Sequence, residues 1–332
     1  MSDYALNPHY AADDVTQEPT RAGFGRGLKT AGEQDERVVA LCADLTESTQ
    51  MGKFAEAFPG RFVEMGVAEQ NLVTVASGMA RAGKIPFTSS YAAFSPGRNW
   101  EQIRTTICLN DQPVKIVGSH AGISVGPDGA THQMLEDIAL MRVLPNMIVI
   151  APGDSIEAEK ATLALATNGK PSYLRLAREK TPIFSTESSP FEVGKAYVLR
   201  QGEDVTLVGT GTMSYQLLML ARKLEAEGIS AEVVHAPTIK PLDEETILNS
   251  VRKTGRVITA EEAQVAGGFG GAVAELLSEK MPVPMKRFGM YDRFGESGAP
   301  AELLQHFGLT SDTMLPEVTA WIGKVPQYRS GF

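Results

Sequence analysis

Between residues 37 and 177, apolar runs of strand length alternate with segments whose apolar positions recur at helical spacing. "RVVALCADL" (37–45) is almost continuously apolar, the pattern of a strand covered on both faces. "AEQNLVTVASGMARAG" (68–83) predicts a helix ending at Gly83. "IPFTSSY" (85–91) predicts a strand, "NWEQIRTTICLN" (99–110) a helix, and "PVKIVGSHAG" (113–122) a strand running into a glycine-bearing loop. Over "HQMLEDIALMRVLP" (132–145) the period predicts a helix closed by Pro145. "NMIVIAPGD" (146–154) reads as a strand, followed by a helix from about Ser155 capped by Asp154 or Ser155. "SYLRLA" (172–177) closes the series. This alternation predicts an α/β fold with a mostly parallel sheet covered by helices on both faces.

Residues 1–18 are polar and aperiodic, and Pro8 and Pro19 would interrupt a helix, so they read as an arm. "REKTPIFSTESSPFEVGK" (178–195) is polar and irregular and predicts a linker. Beyond it the alternation resumes: strands at "DVTLVG", "SAEVVHA" and "RVITAEE", helices at "SYQLLMLARKLEAEG" and "GGFGGAVAELLSEK". The expected organisation is an arm (1–18), an α/β domain (19–185) and a second α/β domain (186–332), both with mostly parallel sheets. No internal repeat is visible.

A chain of 332 residues with 43% hydrophobic and 21% charged residues has the composition of folded domains. Its formal charge of -9, without a Lys/Arg cluster, argues against a nucleic-acid or anionic-membrane surface. No stretch of about 18 apolar residues predicts a membrane span. Cys42 and Cys108 have no metal-ligand spacing and suit a reducing compartment, so a cytoplasmic location is expected. The start "MSDYALNPHYAADDVTQEPT" lacks the apolar core of a secretory signal.

In open parallel sheets, ligands bind beyond the carboxyl ends of the strands. Asp44 and Ser48, Tyr91, His120 and Arg178 follow successive strands there, and helix starts add Glu69 and His132. Each has two readings. Glu69 either complements a helix dipole or is a carboxyl held in an apolar run for chemistry, since burial without a partner costs several kcal/mol. In "SHAGISVGPDGATHQ" (119–133), His120, Asp128 and His132 form either a surface turn or a proton-handling set for a hydroxylated substrate. Their spacing matches no zinc motif, so no metal site is assigned. Tyr91 and Phe94 are core aromatics or a stacking wall for a planar ring. Arg21 and Arg178 are separate surface ion pairs or, if they converge, an anion site such as one for phosphate. The glycine stretches "GTGTM" (209–213) and "AGGFGG" (266–271) lack a full dinucleotide fingerprint and favour close helix–strand packing over a phosphate cradle.

Taken together, "DLTEST", "MGVAEQN", "FTSSYAAF", "SHAGISVGPDGATHQ" and "SYLRLAREK" resemble, in order and spacing, the second half of transketolase over about residues 20–325. That half comprises the pyrimidine-binding and C-terminal domains. 1-Deoxy-xylulose-phosphate synthase and the β subunits of 2-oxo acid dehydrogenases are more distant relatives. The family's Gly-Asp-Gly motif for thiamine diphosphate and Mg2+ is missing, because "GPDG" belongs to another motif. The resemblance therefore implies one subunit of a split transketolase. Its partner would be an N-terminal subunit carrying the diphosphate-binding domain and the Mg2+ ligands, in an α2β2 assembly.

The resemblance also implies individual roles. Glu69 matches the glutamate that hydrogen-bonds the cofactor's pyrimidine and favours its imino tautomer, which takes the thiazolium proton. Tyr91 and Phe94 match aromatics on the pyrimidine, and Asp44 an aspartate near the cofactor. Asp128 matches a reader of a donor hydroxyl, and His132 a histidine at the donor's carbonyl end. His120, Arg178, Arg21 and Ser48 match residues holding the substrate's terminal phosphate. "SPGRN" (95–99) is a residue longer than in relatives, so Arg98 receives no role. The C-terminal domain is expected to carry no catalytic residue and to serve subunit packing. Two rivals remain: a β subunit of a 2-oxo acid dehydrogenase or synthase-type relative, and a non-catalytic partner of a paralogue.

Overall fold

The computed structural model describes residues 4–328. The largest sheet has seven strands in the order β12 (Thr238–Lys240), β6 (Ile148–Ile150), β7 (Ser172–Arg175), β5 (Lys115–Ser119), β4 (Ile85–Tyr91), β2 (Val38–Cys42) and β3 (Phe62–Glu64). Every neighbouring pair from β6 to β3 is parallel, and β12 joins β6 antiparallel. The near-continuous apolar strands follow from this geometry. In β2, Val38, Ala40 and Cys42 face a core shared with Phe24 and Leu28 of helix Thr20–Gln34 and Ala158 and Leu165 of helix Ser155–Thr167. Val39 and Leu41 face the opposite core, with Leu72 and Ala76 of helix Glu69–Arg81 and with Ile138 and Met141. Successive side chains point to opposite faces, so a strand covered on both must be apolar at every position.

A second sheet has the order β14 (Met285–Met290), β13 (Val257–Gln264), β10 (Val205–Gly209), β11 (Ala231–His235) and β9 (Tyr197–Arg200). It is parallel except for β9. The chain is α/β throughout, with two helix-covered sheets of mostly parallel strands.

Several elements differ from the sequence expectation. β12 lies in the later part of the chain yet completes the first sheet. The polar stretch 178–195 contains β8 (Lys180–Pro182), which pairs antiparallel with β1 (Gln17–Pro19). The expected arm docks as well: Tyr4 is buried against Phe184 and Tyr197, with ring centroids 6.5 and 5.4 Å away. Residues 1–3 of that arm lie outside the described residues. The segment 99–110 is helical at Trp100–Gln102 and continues as a π-helix over Ile103–Cys108.

The helix expected over 132–145 forms only from Asp137 to Arg142. Upstream, Met134 bridges Ala121, and its carbonyl accepts the Gly122 N–H at 2.9 Å. Those backbone groups are committed elsewhere, so His132 sits in a turn and not at a helix start. The Asp154 cap is present, its side chain accepting the Glu157 N–H at 3.0 Å. In both glycine stretches a Cβ would meet neighbouring protein atoms: Gly209 faces Ser214, and Gly268 and Gly270 face Glu261 and Thr259.

The two sheets are joined through buried polar contacts. His235 of β11 bonds Glu157 of the first sheet's helix layer at 2.7 Å and Ser214 at 2.6 Å. Asp154 accepts the N–H groups of Phe184 and Ser185 at 3.0 and 2.7 Å. No helix among the described residues is long and apolar enough to cross a membrane.

Candidate active site

β2, β4, β5 and β7 lie side by side and parallel, so their carboxyl ends share one edge of the sheet. Tyr91 closes β4 at that edge, and Asp44, Ser48, His120 and Arg178 follow beyond the ends of β2, β5 and β7. Asp44 and His120 adopt left-handed backbone conformations, with φ of 59° and 57°. Such conformations cost energy for residues with a Cβ and cluster at functional sites.

Glu69 is the first residue of helix Glu69–Arg81 and only 2% exposed. Its carboxylate is held by Arg98, whose Nη1 donates to Oε2 at 3.0 Å. Among the described residues the other oxygen, Oε1, has only a long 3.5 Å contact from the Ser90 hydroxyl. Asn99 Nδ2 donates to the Glu69 carbonyl at 2.8 Å. A cavity of about 270 Å3 opens here, lined by Val67, Ala68, Glu69, Gln70, Asn71 and Arg98.

Arg98 begins a seam of stacked groups. Its guanidinium lies 4.9 Å from the Phe94 ring centroid. Phe94 stacks with Tyr91 at 6.0 Å and 19°. Tyr91 stacks with His120 at 3.8 Å and 24°, so its ring lies against protein on that side. His132 meets Phe94 edge-on at 5.4 Å and Tyr91 at 6.2 Å. Its Nδ1 bonds the Thr131 hydroxyl at 2.9 Å.

The far end of the seam is cationic. Arg21 donates from Nη1 to the Ser48 carbonyl at 2.6 Å and from Nε to the Arg178 carbonyl at 3.2 Å. Arg178 donates to the Val125 carbonyl at 2.6 Å. The two arginines, remote in sequence, therefore converge. Burial lowers the pKa of Arg21, and the charge of Arg178 lowers it further. Burial likewise pushes His120 down to about 3, reinforced by Arg21, Arg178 and His132, so its imidazole is neutral. His120 Nδ1 bonds the Ser119 hydroxyl at 2.9 Å.

Glu69, Tyr91, Phe94, His120, His132, Arg21, Ser48 and Arg178 thus form one connected edge. Ser48 contributes its carbonyl. Asp44 and Asp128 are exposed, and neither side chain bonds any of these residues among those described. Arg98, to which the sequence reading gave no role, is the cation paired with Glu69. Twenty-nine residues separate the two, and only the packing of helix Glu69–Arg81 beside the turn after β4 brings them together. Glu64 is a second addition. At the end of β3 it accepts the N–H groups of Asp44 and Gly66 at 2.7 and 2.9 Å and the Thr46 hydroxyl at 3.0 Å, fixing two loops at the edge. A charged residue closing an otherwise apolar strand was its one sequence signal.

Residues 17–183 match the family model for the pyrimidine-binding domain of transketolase, and residues 194–314 match that for the transketolase C-terminal domain. The chain belongs to the transketolase family. A protein of Methanocaldococcus jannaschii described as a transketolase C-terminal section is 44% identical over 90% of this chain and 94% of that relative. A 6-deoxy-6-sulfo-D-fructose transketolase subunit of a Clostridium species is 43% identical over 84% of this chain and 87% of its own. The solved structure of a split-gene transketolase, an inactive beta4 tetramer, is 44% identical with a TM-score of 0.87, covering 93% of this chain and 99% of that one. Within the transketolase family, the chain corresponds to the C-terminal half of a split transketolase.

Proposed function

We propose that this chain is the pyrimidine-binding and C-terminal subunit of a thiamine-diphosphate-dependent transketolase. It would move a two-carbon ketol unit from a ketose phosphate to an aldose phosphate. The diphosphate and Mg2+ would be held by a separate N-terminal subunit, in an α2β2 assembly. The relative whose beta4 tetramer is inactive supports the need for a partner.

The carrying observation is the buried Glu69 at one end of a stacked seam whose other end holds Arg21, Arg178 and a neutral His120. The site fits the cofactor's aminopyrimidine. Glu69 Oε1 is a buried acceptor with one long contact among the described residues, and it lines a cavity together with Arg98, whose guanidinium lies over the Phe94 ring. A heteroaromatic ring nitrogen would supply the missing partner, its lone pair accepting a proton held on that carboxyl oxygen. Thiamine diphosphate, when bound, supplies the carbanion chemistry that cleaves and forms a carbon–carbon bond next to a carbonyl.

The chain's own residues then have distinct tasks. Glu69 would hold a proton toward the ring nitrogen, and Arg98 fixes the carboxyl's orientation from its other oxygen. Phe94 and Tyr91 would limit the ring's position. His132, edge-on to both, would donate toward the donor's carbonyl end. Arg21 and Arg178 would bind an anionic end group by charge, with neutral His120 adding a hydrogen bond. The relative named for a sulfonated fructose supports an anionic sugar end as the shared feature. Asp44 and Asp128, exposed in this chain, would engage cofactor and donor hydroxyl only in the assembled site.

Glu69→Gln in the reconstituted two-subunit enzyme tests the assignment. We expect kcat to fall by at least roughly 10²-fold, the scale of a lost proton-handling group. Unchanged activity would favour the rival of a non-catalytic subunit.

A further inference from the structure

The loop 120–134, which carries His120, Asp128 and His132, is tied to the second sheet at Ser124. Glu262, near the end of β13, is buried, and its Oε1 accepts the Ser124 N–H at 2.5 Å. Its Oε2 accepts the Thr212 hydroxyl at 3.2 Å. The Glu262 backbone carbonyl accepts Arg175 Nη2 at 2.8 Å, so the same residue also grips the last residue of β7. Gly122 has a φ of 91°, and a Cβ there would collide with the Glu262 carboxyl. The loop backbone therefore approaches Glu262 in a way only glycine permits.

Further contacts act in the same direction. Gln133, 4% exposed, donates to the Ile123 carbonyl at 3.0 Å and to the Glu296 carbonyl at 2.9 Å, linking both legs of the loop to the segment after β14. A Cβ on Gly126 would press on Pro300, and one on Gly129 would press on Ser297. From the other side, Arg178 donates to the Val125 carbonyl at 2.6 Å, one residue from Ser124. The loop is thus clamped between Arg178, a candidate anion binder, and Glu262 of the second sheet.

We infer that Glu262 is a positioning residue: it sets the loop bearing His120, Asp128 and His132 in register with Arg178, so the second sheet governs how the site reads its donor. This rests on the functional reading above. It also gives the C-terminal region a part in the site that the sequence expectation of subunit packing alone did not include.

The test compares Glu262→Ala and Glu262→Gln in the full chain. Hydrogen exchange over residues 120–134 is read on each chain. KM and kcat for xylulose 5-phosphate with ribose 5-phosphate, and the Kd for thiamine diphosphate, are read after adding the diphosphate-binding subunit. Gln keeps the shape and an acceptor oxygen, so it should retain exchange rates and kinetics within about threefold. Ala should raise exchange in 120–134 and raise the donor KM roughly tenfold or more, with a smaller change in kcat and little change in cofactor Kd.

If the Ala chain fails to fold, Gln133→Met, which cuts the second tie, should move both readouts in the same direction. Unchanged exchange in a folded variant overturns the inference, as does raised exchange with an unchanged donor KM. An inactive wild-type complex overturns the functional reading instead, whatever the exchange result, and the inference falls with it.

Discussion

His120 shows how the strand-end edge tunes one side chain. The imidazole is 2% exposed, stacked on Tyr91 and faced by Arg21 and Arg178. Burial first, then these cations, hold it far below its usual 6.5, at about 3. Within the proposal it would therefore act as a neutral hydrogen-bond donor while the arginines carry the charge. In linkage terms the depressed value favours the folded state above pH 6.5, and that contribution is lost as pH falls toward 3. The His120 C2–H resonance of the free chain, assigned by comparison with His120→Gln, should stay flat from pH 8 to about pH 5. A midpoint near the ordinary histidine value would contradict this environment. At this scale much was legible. Glu69, Tyr91, Phe94, His120, His132 and the two arginines were named from motifs and lie on one edge. Arg98 was not, because an ion pair spanning 29 positions leaves no local trace. Nor did the motifs show that Tyr91 would spend one face on His120.

Strands such as β2 were legible because a core on each side demands apolar residues at every position. The helix expected over 132–145 was not, because tertiary hydrogen bonds outweighed a good periodic pattern. β12 was invisible as an addition to the first sheet, since three residues carry no period and its partner β6 lies about ninety positions away. Short elements gain their place from such cross-connections. One is the pair joining helix Asp137–Arg142 to β7: Asp137 Oδ2 accepts Arg175 Nε and the Tyr173 hydroxyl, each at 2.8 Å, with Asp137 and Arg175 both buried. Asp137→Asn keeps the shape but removes the carboxylate bonded to Arg175, leaving Glu262 as its remaining counter-charge. Breaking a buried pair this way costs about 3–5 kcal/mol. Thermal unfolding should show a Tm lowered by several degrees, and a Tm within one degree of wild type would show that the Glu262 carbonyl alone satisfies Arg175.

At the scale of the whole molecule, two sheets are knitted together by β12, by the His235–Glu157 contact and by the clamp at Glu262. The α/β class and the restart of the alternation after residue 195 were readable from hydrophobic pattern alone. The interlocking of the two halves was not, because it depends on buried polar contacts between residues far apart in sequence. One edge of this chain presents a carboxyl, an aromatic seam and a pair of converging arginines. Among the described residues no group of three or more His, Cys, Asp or Glu is placed to hold a metal ion. Within the proposal, the diphosphate and its Mg2+ fall to the partner.

The most direct measurement of that claim is a mixing assay. This chain, with thiamine diphosphate and Mg2+, is assayed for two-carbon transfer from xylulose 5-phosphate to ribose 5-phosphate, and for turnover of pyruvate. The assay is then repeated with the diphosphate-binding subunit added. No transfer by this chain alone and ketose-dependent transfer on mixing are expected. Transfer by the chain alone, or turnover of pyruvate only, would contradict the proposal.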